Sequence, residues 1–472
     1  MRASWFTRFR SLFAASDMTV GPPWKSILRF TVPMIIGNVA QQLYSTVDSI
    51  VVGHYIGDNA LAAVGSATPL LNLLLALFIG ISTGTGIMVS QYFGARDREK
   101  LSHTVGNCIT VTAFACLIVI AVGAPLIRPF LEILNTPDSI IDWCTDYLLI
   151  SLFGMAGMGY YNILSGVLRG MGDSFSALMY LLVATVLNVG LDVFFVGAVG
   201  MGVGGVALAT VIAQAVSALL CLWKLARMRQ DFDFGLPYLR PRRQYVGTIV
   251  RLGLPSGLTQ AIFSSAMIVV QSLTNQFGEM CIAANVVIMR VDGFAMMPNF
   301  SFGAAMTTYA GQNVGARRMD RTVKGAKQGL LMAVLCSTLI TGVILIFGKY
   351  LMAIFTETAE LVDLAYRLMF LLAPGYIAVA VTQSLSGVMR GAGDTMTPMW
   401  ISLITTVAFR VPVAYGISYL TRTPELPVGR FECIPLSLLC SWVLGAAITA
   451  IFYAAGRWKK KALVKQNKLR EM

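Results

Sequence analysis

Charge is scarce in this chain. Of 472 residues only 23 are acidic and 36 basic, so charged side chains make up 12%, about half of the roughly 25% of soluble domains. A chain this poor in charge is not built as a water-soluble globule. Histidine is almost missing: only His54 and His103 occur, each alone near a helix end, so neither a histidine metal cluster nor a paired intramembrane histidine site is available. The eight cysteines are scattered through apolar stretches with no CxxC pair, and they read as small core residues. No HExxH, nucleophile-elbow or paired intramembrane histidine motif supports an integral-membrane enzyme.

Apolar residues fill the space that charge leaves. Hydrophobic residues are 56% of the chain and the mean hydropathy is +0.71. Runs long enough to cross a bilayer recur from end to end. Twelve are expected, at about 30–52, 60–90, 104–124, 143–168, 176–198, 204–224, 249–273, 281–310, 328–348, 364–389, 397–419 and 434–455. All should be helices, because a lipid-exposed segment must satisfy its own backbone polar groups. The alternating short segments of a membrane barrel are not seen.

The chain also repeats itself. Leu164-Ser165-Gly166-Val167-Leu168-Arg169-Gly170-Met171-Gly172-Asp173 returns 221 residues later as Leu385-Ser386-Gly387-Val388-Met389-Arg390-Gly391-Ala392-Gly393-Asp394. At the same offset Gln91 with Gly94-Ala95-Arg96 returns as Gln312 with Gly315-Ala316-Arg317, and Gly57 returns as Gly278. Pro33 has its counterpart in Pro255, with one residue of slippage. The fold expected is therefore all-α and integral to the membrane, twelve helices in two pseudo-symmetric bundles of six. Each half has an even number of spans, so the repeat is parallel, and such halves usually frame one central pathway. By this division 1–26 is a cytoplasmic tail, 27–226 the first lobe, 227–247 a polar, proline-punctuated linker, 248–456 the second lobe and 457–472 a basic tail. Met1–Ser16 is basic and aromatic, suited to a membrane surface, and lacks the apolar core of a cleaved signal peptide.

With both termini placed in the cytoplasm, 29 of the 36 basic residues fall on the cytoplasmic side, five outside, and two, Arg290 and Arg410, within spans. That asymmetry is a positive-inside signal. The net charge of +13 then reflects topology and anionic lipid, not a nucleic-acid partner, for which no binding motif is present. A plasma membrane of bacterial type is the expected location.

Carboxylates within a bilayer are costly and each needs a reason. Most acids here lie at span ends or in loops. In the first half two are deep: Asp48 in the first span and Asp192 in the fifth. Asn188 and Asp192 are four apart and share one helix face. With Thr210 of the sixth span, Asp48, Asn188, Asp192 and Thr210 make an all-oxygen set. It suits a hard cation such as Na⁺, or protons, since burial and mutual repulsion both disfavour two ionised acids. At the 221-residue offset these positions carry Val270 (with slippage), Phe409 and Val413 in place of Asp48, Asn188 and Asp192. The acids are therefore not needed to fold a six-helix half, and their one-sidedness favours a functional role. Met289, Met296 and their neighbours in the eighth span would offer the substrate a soft apolar wall. Asp292 and Arg290 there, and Arg410 in the eleventh span, have no assignable partner. The paired Arg-Gly-x-Gly-Asp turns suggest a local Arg–Asp contact pinning each cytoplasmic turn.

Two six-span halves, the Pro33…Gln42…Asp48…Gly53 pattern, the Ser90-Gln91-Tyr92-Phe93-Gly94-Ala95-Arg96 turn, the duplicated Leu-Ser-Gly-Val-x-Arg-Gly-x-Gly-Asp motif and Asn188…Asp192 together resemble the multidrug and toxic compound extrusion (MATE) family, over about residues 25–456. The resemblance implies a V-shaped pair of bundles, alternating access, and export of organic cations, drugs or toxic metabolites in exchange for H⁺ or Na⁺. No cofactor beyond the coupling ion is implied. In the branch like DNA-damage-inducible protein F, the coupling site is built from residues matching Asp48, Asn188, Asp192 and Thr210. The norfloxacin-exporter branch also uses acids in spans seven and ten. Here span seven has none and span ten has only Asp363 at its outer edge, which puts the chain nearer the former. Substrate-binding residues expected on this reading are Gln42, Tyr44, Met289, Asp292, Met296 and Arg410. The partners expected are cationic amphipathic small molecules and membrane lipid, with the chain acting as a monomer. The alternative is a lipid-linked saccharide flippase of a related group. That function calls for a basic cavity, to which only Arg290 and Arg410 could contribute.

Overall fold

Lipid-facing backbone must close its hydrogen bonds locally, and the chain does so with helices almost throughout. A computed structural model describes residues 17–133, 136–356 and 358–464; the N-terminal tail and the end of the basic C-terminal tail lie outside them. In the first half come α1 (Pro23–Tyr55), α2 (Asp58–Gly94), α3 (Arg98–Ile133), α4 (Asp138–Phe153), α5 (Met155–Gly170), α6 (Ser174–Asp192) and α7 (Gly202–Arg227). The linker holds the single-turn α8 (Leu236–Leu239). Then follow α9 (Arg243–Thr274), α10 (Glu279–Gly315), α11 (Met319–Ala353), α12 (Ala359–Leu372), α13 (Gly375–Gly391), α14 (Met396–Leu403), α15 (Val411–Leu420) and α16 (Cys433–Ala454). Among the described residues nine helices are long and apolar enough to cross a membrane, or eleven if each of two bent pairs is one span. With α1, these are the twelve segments expected.

Two of the expected single spans are broken. α4 and α5 meet at 50°, and α12 and α13 at 46°. Gly154 and Gly375, 221 residues apart, sit at the two breaks. A Cβ on Gly154 would stand 2.1 Å from Val211 Cγ2 of α7, and one on Gly375 would stand 2.5 Å from Trp442 Cε3 of α16. The missing side chain lets the last helix of each half press into the bend, which hydropathy alone does not register.

The repeat persists into backbone conformation. Arg96 and Arg317, one offset apart, both take positive φ (55° and 60°) after α2 and α10. Gly172 and Gly393 do the same (89° and 98°) after α5 and α13. In these latter turns the expected Arg–Asp contact is absent. Asp173 instead accepts from Ser176 N at 2.9 Å and from Ser176 Oγ at 2.7 Å, capping α6. Asp394 accepts from Thr397 Oγ1 at 2.8 Å and from Thr397 N at 3.3 Å, capping α14. Each aspartate is taken up by the free N–H groups of the helix it precedes, not by the arginine four residues back.

By internal contacts the chain forms two compact units. One takes in Val32–Gly257, the other Met18–Thr31 together with Leu258 onward. The divisions fall inside α1 and α9, beside Pro33 and Pro255. In the first unit the start of α9 crosses α2 at glycines: a Cβ on Gly84 would stand 2.5 Å from Ile249 O and 2.8 Å from Gly253 N. Close backbone approach through small residues is how membrane helices gain packing energy. The linker is strapped to the same unit. Arg98 of α3 holds Asp233 and the carbonyls of Arg229 and Gln230, Asn107 accepts from Arg242 N at 2.7 Å, and Thr110 donates to Leu239 O at 2.6 Å. The Arg98 bond keeps the Asp233 carboxyl below the ordinary carboxylate range. In the second unit the segment before α1 is held in the same manner. Gln312 accepts from Met18 N at 2.9 Å, Asn313 donates to Met18 O at 3.1 Å and Arg321 to Val20 O at 2.8 Å.

Candidate functional site

α6 carries Asn188 and Asp192 one turn apart on one face, and both are wholly buried. α7 packs along α6 and brings Thr210, half-buried, to the same place. Asn188 Nδ2 lies 3.4 Å from Thr210 Oγ1. Directly after Asp192 the helix widens into a π-helical segment, Val193–Ala198. Such segments are rare, and they recur at functional positions because they re-aim side chains. Three of the four residues expected to hold the coupling ion are thus gathered in the first unit. Asp48 and Tyr44 lie on α1, but their side chains are outside the described residues. Gln42 is half-buried on the same helix, with its carbonyl accepting from Thr46 Oγ1 at 2.9 Å.

The second unit holds a different cluster. Asp292 on α10 faces the hydroxyl of Tyr376 on α13, and Arg410 is close enough to act on it electrostatically. Tyr376 is fully buried; its hydroxyl also lies 3.3 Å from Met369 Sδ, and its carbonyl accepts from Asn299 Nδ2 at 3.2 Å. Arg410 ends a second π-helical segment, Ile404–Arg410, and is 6% exposed. Met296 belongs to the apolar core around Tyr376, whereas Met289 is 42% exposed. The expected methionine wall is therefore divided between core and surface. Arg290, two residues before Asp292, is exposed.

A family model for MatE matches the chain twice, over residues 33–194 and 255–416. The chain belongs to the MatE family. The two matches open on Pro33 and Pro255 and coincide with the repeat read from the sequence. Among curated relatives, the "Probable multidrug resistance protein YoeA" of Bacillus subtilis (strain 168) is 29% identical over 451 residues, covering 94% of this chain and 96% of its own. The "Probable multidrug resistance protein NorM" of Thermotoga maritima is 24% identical over 460 residues, covering 95% and 96%. Among solved structures, a crystal structure of MATE in complex with MaL6 superposes with a TM-score of 0.87 at 23% identity, over 94% of this chain and 99% of that one. A MOP superfamily transporter from Pyrococcus furiosus Vc1 gives 0.87 at 23% identity, over 94% and 98%. These likenesses carry the fold: twelve membrane helices in two bundles, a multi-pass transporter architecture.

In this MatE member the first-half site was visible in the sequence because Asn188 and Asp192 share a helix. The second-half cluster was not. Its members come from α10, α13 and the π-helical turn before α15, 34 to 118 residues apart, and no spacing rule joins them. The one available signal was negative: Asp292 and Arg410 were charges in apolar helices with no partner.

Proposed function

We propose that this MatE protein is a secondary active antiporter that exports organic cations, drugs or toxic metabolites in exchange for H⁺ or Na⁺, across a bacterial-type plasma membrane with both termini cytoplasmic. One observation carries the reading. Two wholly buried polar residues, Asn188 and Asp192, share one helix face in one of two homologous halves, Asn188 meeting Thr210, and the other half has Phe409 and Val413 in their places. The printed names of the curated relatives, multidrug resistance proteins, support export of drug-like molecules.

In the proposed cycle Asp48 and Asp192 bind the coupling ion in the outward-facing protein, with Asn188 and Thr210 supplying neutral oxygens. Neutralising buried carboxylate lowers the cost of closing the helices around it. Substrate is released outward, the halves rock, and the ion leaves inside. Coupling arises because ion and substrate stabilise different states. Gln42, Tyr44, Met289, Asp292, Met296 and Arg410 are the residues proposed to meet substrate.

The test uses protein reconstituted in vesicles with ethidium as substrate and an H⁺ or a Na⁺ gradient imposed separately. Wild type should drive ethidium against one of them. Asp192→Asn should reduce gradient-driven transport at least a hundredfold with normal membrane insertion. Full transport by Asp48→Asn/Asp192→Asn would dismiss the coupling site. Movement of a lipid-linked oligosaccharide in place of ethidium would favour the flippase.

A further inference from the structure

Basic residues are rare at the external ends of the spans, five in all, so each one there needs a reason. Two of the five, Lys349 and Arg367, line one cavity of about 480 Å³ in the second unit. Ligand pockets typically measure about 300–1,000 Å³. α11 supplies Lys349, α12 supplies Asp363, Tyr366, Arg367 and Phe370, and Glu432 closes the cavity from just before α16. Lys349 Nζ stands 2.6 Å from Asp363 Oδ1, and Arg367 Nη2 is paired with Glu432 Oε1. The side chains of Lys349 and Arg367 are 59% and 70% exposed and that of Glu432 is 24% exposed. Glu432 therefore lies deepest, and the two bases stand at the mouth.

The internal repeat separates the scaffold from what has been added to it. The pair Lys349–Asp363 has a counterpart at the 221-residue offset in Arg128 and Asp142, 3.5 Å apart between α3 and α4. That contact belongs to both halves. The remainder does not repeat: Tyr366, Arg367 and Phe370 stand where the first half has Thr145, Asp146 and Leu149. Exposed ion pairs add little to stability, so folding alone gives no reason for a second pair with two aromatic rings beside it.

Each charge keeps bonding capacity. The ion pairs engage one donor of the Lys349 ammonium and one of the Arg367 guanidinium and leave the others free. Those donors fit the oxygens of a phosphate ester. Asp363 and Glu432 are each engaged through one oxygen, and the second oxygens fit a primary ammonium. Two acids and two bases make the cavity neutral, so the occupant that matches it carries both signs of charge. The surroundings are those of lipid. Ile346, Tyr350 and Ile354 follow at four-residue spacing on α11 and are exposed, as is Phe370 on α12, and such an apolar stripe lies against acyl chains. Tyrosines at span ends mark the level of the headgroups. Tyr366 is fixed there: its hydroxyl donates to Leu345 O at 2.8 Å, and its ring centre lies 6.4 Å from that of Phe370 and 5.8 Å from Lys349 Nζ.

We propose that this cavity holds the headgroup of an ethanolamine phospholipid, with the phosphate on Lys349 and Arg367, the primary ammonium on Asp363 and Glu432, and the start of the acyl chains on Phe370. A lipid so seated ties the ends of α11, α12 and α16 to the membrane surface. Its leaflet, the outer one, follows from the proposed orientation; the binding depends neither on that orientation nor on the antiport reading.

The experiment measures lipid binding to the purified full chain in detergent by native mass spectrometry. The probes are phosphatidylethanolamine, phosphatidylcholine and phosphatidylglycerol with identical acyl chains. Phosphatidylcholine keeps the phosphate but covers the ammonium with methyl groups, and phosphatidylglycerol has no ammonium. Wild type should prefer phosphatidylethanolamine to either by at least about tenfold. Arg367→Gln should abolish the preference. Arg128→Gln, at the counterpart of Lys349 in the first half, should leave it unchanged. Soluble phosphorylethanolamine, which lacks the chains, should not displace the lipid at a roughly hundredfold excess. A smaller wild-type preference, a preference for phosphatidylglycerol, equal loss in Arg128→Gln and Arg367→Gln, or displacement by the soluble headgroup would overturn the proposal. The wild-type preference needs no variant, so a misfolded substitution leaves the test intact. Failure of gradient-driven ethidium transport would fault the antiport reading and leave this measurement untouched.

Discussion

At the residue scale, partner choice follows local geometry before charge. Asp173 and Asp394 take backbone and hydroxyl donors of the helices they begin and leave Arg169 and Arg390 to other surroundings. An N-terminal cap satisfies donors that no other group reaches and is worth about 1 kcal/mol. Asp173→Ala and Asp394→Ala should each lower stability by about that amount, measured by thermal unfolding in detergent. Asp394→Asn should cost only a few tenths, because the amide oxygen still caps, and Asp173→Asn should cost more, since it also loses the Lys224 ion pair at 3.7 Å. If an ion pair with Arg390 were the stabilising contact, Asp394→Asn would fall as far as Asp394→Ala.

At the scale of elements, the notable pieces are the two segments that precede α1 and α9. Each is held by polar side chains of neighbouring helices, Gln312 and Asn313 of α10 with Arg321 of α11 for Met18–Val20, and Arg98, Asn107 and Thr110 of α3 for the linker. Asn107 contributes both ends of its amide, donating toward Tyr238 O at 3.3 Å and accepting from Arg242 N at 2.7 Å. Asn107→Ala leaves two backbone groups unmet, a cost of about 1–3 kcal/mol. The expected result is faster trypsin cleavage after Arg240, Arg242 and Arg243, about tenfold for each 1.4 kcal/mol of easier local opening, with the rest of the chain cleaved at its former rate. Unchanged cleavage would mean that the linker is held by other contacts.

At the scale of the molecule, the distribution of basic residues is what supports the orientation proposed above. The described part of the C-terminal tail already carries Arg457, Lys459, Lys460 and Lys461, and moving such a cluster across a membrane is opposed by the positive-inside bias. Protease added to spheroplasts should leave a tag appended after Met472 intact, and protease added to inverted vesicles should remove it. The reverse pattern would overturn both the topology and the direction of export argued from it.

The class of this protein, its duplication and its helical spans are decided along the chain, because apolar run length, sequence identity between halves and charge bias are local or one-dimensional properties. The face shared by Asn188 and Asp192 is of the same kind, fixed by the 3.6-residue period of a single helix. The breaks at Gly154 and Gly375 are different, since they follow from which helix presses into the bend. So does the assignment of Met18–Thr31 to the second compact unit, although the chain continues from it directly into the first half. The meeting of Asp292, Tyr376 and Arg410 belongs to this group as well. Those three come from separate helices, and only the packing of the helices against one another sets the distance between charges that no sequence period relates.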